Sequence, residues 1–360
     1  MIDALAADRA RFADLEVQIL LLQRPLSELQ SEKELVLERL NSYKYPVLTL
    51  PNEIIAEAFV HFLPVYPLCP PLTGPSSPTL LTQICRKWRE IALATPKLWR
   101  AISLDAGDIP LAQQLNICRI WMTRSCSCPL SIRGLEASQL LDAVTPHRAR
   151  WEYFDLTIAG SPSPIPPLEG PIPVLRHLSL TLESPDELGS DDVVTFPEAP
   201  LLRSLTISYS TLSTPTVILP FAQLTSLTLH RAFRHEYMEI LPQTPKLVHC
   251  ELVIEFDSIT DPPPAGVELP RLEVLVLSVF KTLGFRPLPT KCLDDFIVPA
   301  LRHLRIPESL LQPAPAVGTL SSFVSKSNCK LRKLCIEGRT SESEDSYRNA
   351  FRSTHVSFEE

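Results

Sequence analysis

The sequence predicts an α+β chain, and three observations carry that expectation. Apolar residues recur at heptad spacing over roughly residues 2 to 42. A segment from 44 to 100 keeps helical periodicity on both sides of a proline-rich break, and a six-residue apolar motif returns seven times between residues 175 and 336. Four regions follow: a coiled-coil-like helix (1–43), a helical module (44–100), an irregular array of short strands (101–340) and a polar C-terminal tail (341–360). At 360 residues the chain exceeds one ordinary domain, which suits several units or a repeat array.

The first region shows two interleaved series. One runs Leu5, Phe12, Ile19, Leu26 and Leu40, interrupted by Lys33; the other runs Leu15, Leu22, Leu29 and Val36, with Asp8 in its first position. Alternating steps of three and four keep both on one stripe of a helix, the pattern of a coiled-coil seam, so self-association through this helix is an expected partner interaction. Pro25 removes one backbone hydrogen bond and crowds the carbonyl four residues back. Either one kinked helix or two shorter ones, the second starting near Pro25, satisfies the pattern.

In the second region, Leu50-Pro51-Asn52-Glu53 reads as a helix start, with proline and an acidic group where the first turn favours them. Ile54, Ile55, Ala58, Phe59 and Phe62 then recur with helical spacing. The proline-rich stretch from Pro64 to Thr79 reads as a loop, Leu80 to Leu93 restores helical periodicity through Ile84, Cys85 and Trp88, and Pro96 ends it.

The third region repeats Leu175-Arg-His-Leu-Ser-Leu180 at Leu202, Leu224, Leu247, Leu272, Leu301 and Leu331, with spacings of 27, 22, 23, 25, 29 and 30 residues. This is the L-x-x-L-x-L core of a leucine-rich repeat near its expected period, so an irregular leucine-rich-repeat solenoid is predicted. A proline stands two residues before the first leucine at 173, 200, 245, 270 and 299, punctuating each strand. Segments 101–104, 129–132 and 151–158 look like degenerate copies. Alternation along a strand sends the leucines inward and places the intervening residues on a concave face: His177 and Ser179, Ser204 and Thr206, Ser226 and Thr228, His249 and Glu251, Val274 and Val276, His303 and Arg305, then Lys333. Such faces hold extended protein partners.

Composition excludes other classes. A formal net charge of -7 argues against nucleic acid, which needs a basic face. No basic-then-apolar leader opens the sequence and no apolar run reaches the roughly 18 residues of a membrane span, so neither secretion nor membrane insertion is expected. Nine cysteines, an odd number, are read as reduced thiols of a cytoplasmic or nuclear protein. Only 10 glycines leave few places for backbone to wrap a phosphate, against 36 prolines. The paired acids Asp191-Asp192, Asp294-Asp295 and Glu344-Asp345 read as solvated loop charges. Cys126-Ser127-Cys128 has no second pair at zinc spacing, and the eight histidines are scattered. No catalytic residue, metal or cofactor is predicted, and the chain is not expected to be an enzyme.

The second region resembles an F-box. The residues that carry the resemblance are Tyr45-Pro46-Val47-Leu48, Leu50-Pro51-Asn52-Glu53-Ile54-Ile55 and the closing Pro96-Lys97-Leu98-Trp99, preceded by a coiled-coil-like helix, and the pattern is similar to the large F-box sets of mushroom-forming fungi. The resemblance implies a substrate-recognition adaptor of a ubiquitin ligase, docking on the Skp adaptor of a cullin–RING ligase and holding a protein substrate on its repeats for ubiquitin-dependent degradation. It implies Skp-adaptor contacts at Leu50, Pro51, Ile54, Ile55 and Phe59, completed by Ile84, Cys85, Trp88, Leu98 and Trp99. Ala58 stands where the family carries a larger aliphatic. A different class, a scaffold that self-associates through residues 2–42 and binds partners on its repeats, is the alternative.

Overall fold

The computed structural model describes residues 2–42, 46–104, 109–135, 138–159, 170–183, 193–196, 198–209, 216–255, 266–280, 292–311, 315–338 and 340–359. Tyr45 and the Asp191-Asp192 pair lie outside the described residues. The chain divides into two compact units, Met1–Ala58 and Phe59–Glu360.

The first unit contains helix α1 (Ile2–Ser42), a 3-10 turn (Pro46–Thr49) and most of α2 (Asn52–Phe62). Pro25 lies inside a continuous α1 and does not divide it. The heptad residues of α1 are exposed along its whole length.

The second unit opens with α3 (Pro78–Ile84), α4 (Arg86–Leu93) and a 3-10 turn (Pro96–Trp99). The single helix expected over Leu80–Leu93 is broken at Cys85, whose extended backbone ends α3 while its thiol caps α4, accepting from the Trp88 N–H at 3.5 Å. Ser77 caps α3 in the ordinary way, and Pro78 occupies its first turn. Trp99 is fully buried, donates its indole N–H to the Ala92 carbonyl at 3.0 Å and meets Trp121 edge to face at 5.5 Å.

Then come β1 (Ala101–Ser103), α5 (Leu111–Arg124), β2 (Leu130–Leu135), α6 (Ser138–Val144), β3 (Trp151–Ala159), β4 (His177–Glu183), β5 (Val193–Thr195), β6 (Ser204–Tyr209) and β7 (Thr216–Ile218). They continue with β8 (Ser226–Ala232), α7 (Arg234–Ile240), β9 (His249–Ile254), β10 (Val267–Glu268), β11 (Val274–Val279), β12 (Phe296–Ile297) and β13 (His303–Pro307). Helix α8 (Ala316–Ser327), β14 (Lys333–Glu337), α9 (Glu344–Ala350) and β15 (His355–Glu359) complete the unit. One eleven-stranded parallel sheet runs β1-β2-β3-β4-β6-β8-β9-β11-β13-β14-β15, and β5-β7 and β10-β12 form two-stranded parallel ribbons.

This corrects the predicted fold class. The chain is α/β, not α+β: its strands are parallel throughout the large sheet, and helices α5 to α9 are interspersed among them along the chain instead of being segregated. Nor is the array a leucine-rich-repeat solenoid, because the connections do not repeat. Between β1 and β2 stands a fourteen-residue helix, and between β13 and β14 a twelve-residue one, whereas β4-to-β6 and β6-to-β8 each contribute a ribbon strand. The leucine spacing specifies the strand and leaves the return path open. Of the expected tail 341–360, the described residues 341–359 form α9 and the last sheet strand instead.

The recurring motif builds the sheet strand by strand. The three apolar positions of each copy are buried, from Leu175, Leu178 and Leu180 to Leu331, Leu334 and Ile336, each such side chain stabilising the fold by about 1.5–3 kcal/mol. The punctuating prolines occupy the second position of a four-residue turn: Leu175 N–H bonds to Ile172 C=O, Leu202 to Ala199, Leu247 to Thr244, Leu272 to Leu269 and Leu301 to Val298. Proline supplies the backbone angle that position requires. The residue before each proline is itself buried, giving a second inner row.

Two buried carboxylates pin the returns, one of them Asp295, which is buried in a 3-10 turn and not the solvated loop charge expected. Asp295 receives both ends of the Arg234 guanidinium and the Tyr237 hydroxyl at 2.9 Å. Glu308 accepts from the Ser341 backbone at 2.8 Å, the Ser341 hydroxyl and Tyr347 at 3.0 Å, which ties α9 to the turn after β13.

Candidate functional site

Two surfaces collect the residues singled out in the sequence. The first lies on the Pro46–Phe62 segment. Helix α2 is amphipathic with an offset of one residue: Ile55 and Phe59, one turn apart, are buried, whereas Leu50, Pro51 and Ile54 face outward, Leu50 at 42% and Ile54 at 56% exposure. Val47 and Phe62 are exposed as well.

The remaining expected contacts divide in the same way. Ile84, at the end of α3, is 52% exposed; Cys85 and Trp88 are half-buried, and Trp88 packs on Phe59 with ring centroids 4.9 Å apart. Leu98 and Trp99 are core residues. Four of the ten expected contacts, Ile55, Phe59, Leu98 and Trp99, are therefore buried and offer nothing to a partner.

The second surface is the outer face of the sheet. Register brings the intervening residues into columns. The first is Tyr153, His177, Ser204, Ser226, His249, Val274, His303, Lys333 and His355. A second column runs beside it from Asp155 and Ser179 through Thr206, Thr228, Glu251, Val276 and Arg305 to Ser357. Every candidate residue on strands β4 to β14 is at least partly exposed, and His303, Arg305 and Lys333 are the most open of them. At about 4.8 Å per strand, nine strands make a face roughly 38 Å long, the span of an extended peptide of roughly 11 residues.

Its chemistry changes along that length. Hydroxyls line β6 and β8, Val274 and Val276 make an apolar patch on β11, and charge gathers at the far end. There Arg305 bridges Glu337 and Glu359, the latter at 2.7 Å. A depression of about 160 Å³ lies among Val274, Val276, His303, Arg305, Lys333 and Glu359. It is well below the roughly 300 Å³ of a small-molecule site. It suits one side chain of a bound polypeptide.

The near end is covered by the loop from Pro64 to Thr79. Tyr66 donates to Glu152 at 2.9 Å, lies edge-on to Tyr153 at 5.5 Å and carries the Arg100 guanidinium on its face at 3.9 Å. The Ser131 hydroxyl donates to the Pro67 carbonyl at 2.7 Å, with the Cys69 sulfur 3.5 Å away. Tyr153 in turn stacks flat on His177, centroids 4.4 Å apart. Burial holds the His177 imidazole below its ordinary pKa, opposed by Glu152 and reinforced by Arg176.

Sequence reasoning placed the Pro64–Thr79 loop but not its position over the sheet, and it missed Tyr153 as a face residue and the whole of β15. A signal existed for β15 in the alternation of His355-Val356-Ser357-Phe358-Glu359, which lacks only the leading leucines. All nine cysteines are free thiols. Among the described residues no group of three or more His, Cys, Asp or Glu is placed to hold a metal ion, and no helix is long and apolar enough to cross a membrane. No protein-family model matches the sequence, and no curated protein does.

Proposed function

We propose that this chain is the substrate-recognition adaptor of a Skp–cullin–F-box ubiquitin ligase, acting in the cytoplasm or nucleus. Its Pro46–Phe62 segment docks on the Skp adaptor, and the outer face of its parallel sheet holds a protein substrate. Ubiquitin transfer belongs to the rest of the ligase, and this chain positions the acceptor. The observation that carries the reading is the outward placement of Leu50 and Pro51, just before α2, and of Ile54 on its first turn, while the inward stripe of that helix is filled by Ile55 and Phe59. Isolated exposed apolar residues are ordinary on a protein surface, but a cluster of them at the start of a helix suits a partner helix or groove.

Co-purification tests it. Wild-type protein should retain a Skp adaptor, and the Leu50→Ala/Pro51→Ala variant should lose retention while its unfolding transition stays in place. No retention by the wild type would transfer the reading to the scaffold alternative, which the exposed seam of α1 favours.

A further inference from the structure

The seam of α1 contains two polar breaks, Asp8 and Lys33, and they carry opposite charge. All nine apolar seam residues, from Leu5 to Leu40, are between 40% and 68% exposed, and Asp8 and Lys33 are exposed too. A helix with such a stripe needs a partner, and the positions of the breaks say which one.

We infer that α1 pairs with α1 of a second copy as a two-stranded antiparallel coiled coil in a single register. In that register Asp8 of each copy faces Lys33 of the other. Every other layer then matches apolar to apolar: Leu5 with Val36, Phe12 with Leu29, Leu15 with Leu26, and Ile19 with Leu22 across the dyad. Outside the seam, Arg11 of one copy comes beside Glu32 of the other, a second attractive pair made twice by symmetry. Pro25 falls on the rim of the stripe, where its missing N–H and its ring leave the seam packing intact.

Other arrangements fail on charge. A parallel, in-register pair sets Asp8 against Asp8 and Lys33 against Lys33. Sliding the antiparallel pair by one heptad in either direction puts Asp8 against Leu26 or Leu40. A polar seam residue lowers stability but specifies register and orientation when only one alignment satisfies it. The paired stretch from residue 5 to residue 36 is about 47 Å long at 1.5 Å per residue. The inference is independent of the adaptor reading.

Sedimentation equilibrium on the full chain tests it, using wild type, Asp8→Lys, Lys33→Asp and the double swap Asp8→Lys/Lys33→Asp. The wild type should be a dimer. Each single variant turns both seam ion pairs into like-charge contacts and should weaken the dimer by roughly tenfold or more, and the double swap should restore it. A parallel pair predicts that the single variants bind as well as wild type, since like charges already face each other there. Unchanged single variants, a double swap that fails to restore, an assembly larger than two, or wild-type protein monomeric at roughly 100 µM would each overturn the inference. At a concentration low enough to keep all four proteins monomeric, they should show the same unfolding transition, because neither residue is buried in the single chain.

Discussion

Replacing Ile54 and Ile55 separately by alanine distinguishes docking from folding on one helix. Ile54 is 56% exposed and Ile55 is 2% exposed, though they are neighbours. An isoleucine with about 100 Å² of apolar surface left in water gains about 2.5 kcal/mol when a partner covers it, at about 25 cal/mol per Å². Truncation to alanine removes roughly two thirds of that area, so Ile54→Ala should weaken Skp-adaptor binding by about 1.5 kcal/mol, somewhat over tenfold in Kd. Folding stability should change by less than about 0.5 kcal/mol. Ile55→Ala instead leaves a cavity and should lower stability by about 2–4 kcal/mol. Isothermal titration calorimetry with purified adaptor and urea denaturation read the two quantities. If Ile54→Ala binds as tightly as wild type, or destabilises as much as Ile55→Ala, the outward row on α2 is not a docking surface.

Three further outcomes follow from the buried polar groups. Asp295→Ala leaves the buried Tyr237 hydroxyl without this acceptor and removes one partner of the partly exposed Arg234 guanidinium, and should lower stability by about 1–3 kcal/mol in urea denaturation, with Asp295→Asn costing less. His177 is held below its ordinary pKa, as is His147, where burial and Arg150 act together. The unfolded chain therefore binds more protons than the folded one as pH falls below about 6.5, and stability declines with it. The urea midpoint of the wild type should fall between pH 7 and 5.5, and His177→Gln should lose less over that interval. Burial pushes the Cys250 thiol up to about 12 and Cys118 up to about 11, while Cys126 is exposed. Iodoacetamide at pH 8 should therefore modify Cys126 in the native protein and reach Cys118 and Cys250 only after denaturation, as peptide mass mapping would show.

The sheet was legible in the sequence because leucine spacing and proline punctuation act locally. Each copy of the motif states its own inward side chains and its own turn, so the residues placed on the outer face, from His177 to Lys333, lie where alternation puts them. The fold class was misread because the motif says nothing of the return. Whether a return becomes α8, α7 or a ribbon strand such as β5 depends on long-range packing. Within the helical module, periodicity alone could not separate Ile54 from Ile55, or show that Leu98 and Trp99 face the core. A helix carrying apolar residues on adjacent positions has two candidate inward sides, and only the tertiary partners choose between them. Cys85 was hidden for a different reason: an extended residue inside a periodic stretch leaves the spacing almost undisturbed.

The register of the large sheet has a consequence for how this molecule can diversify. Stability rests on the leucine side of each strand, whereas the opposite side chains stand in columns that bear little of the load. A substitution at Ser204, Thr228 or His249 rewrites one letter of a two-dimensional text without loosening the page it is printed on. Descendants of this chain are thus free to vary that outer side while inheriting the same scaffold.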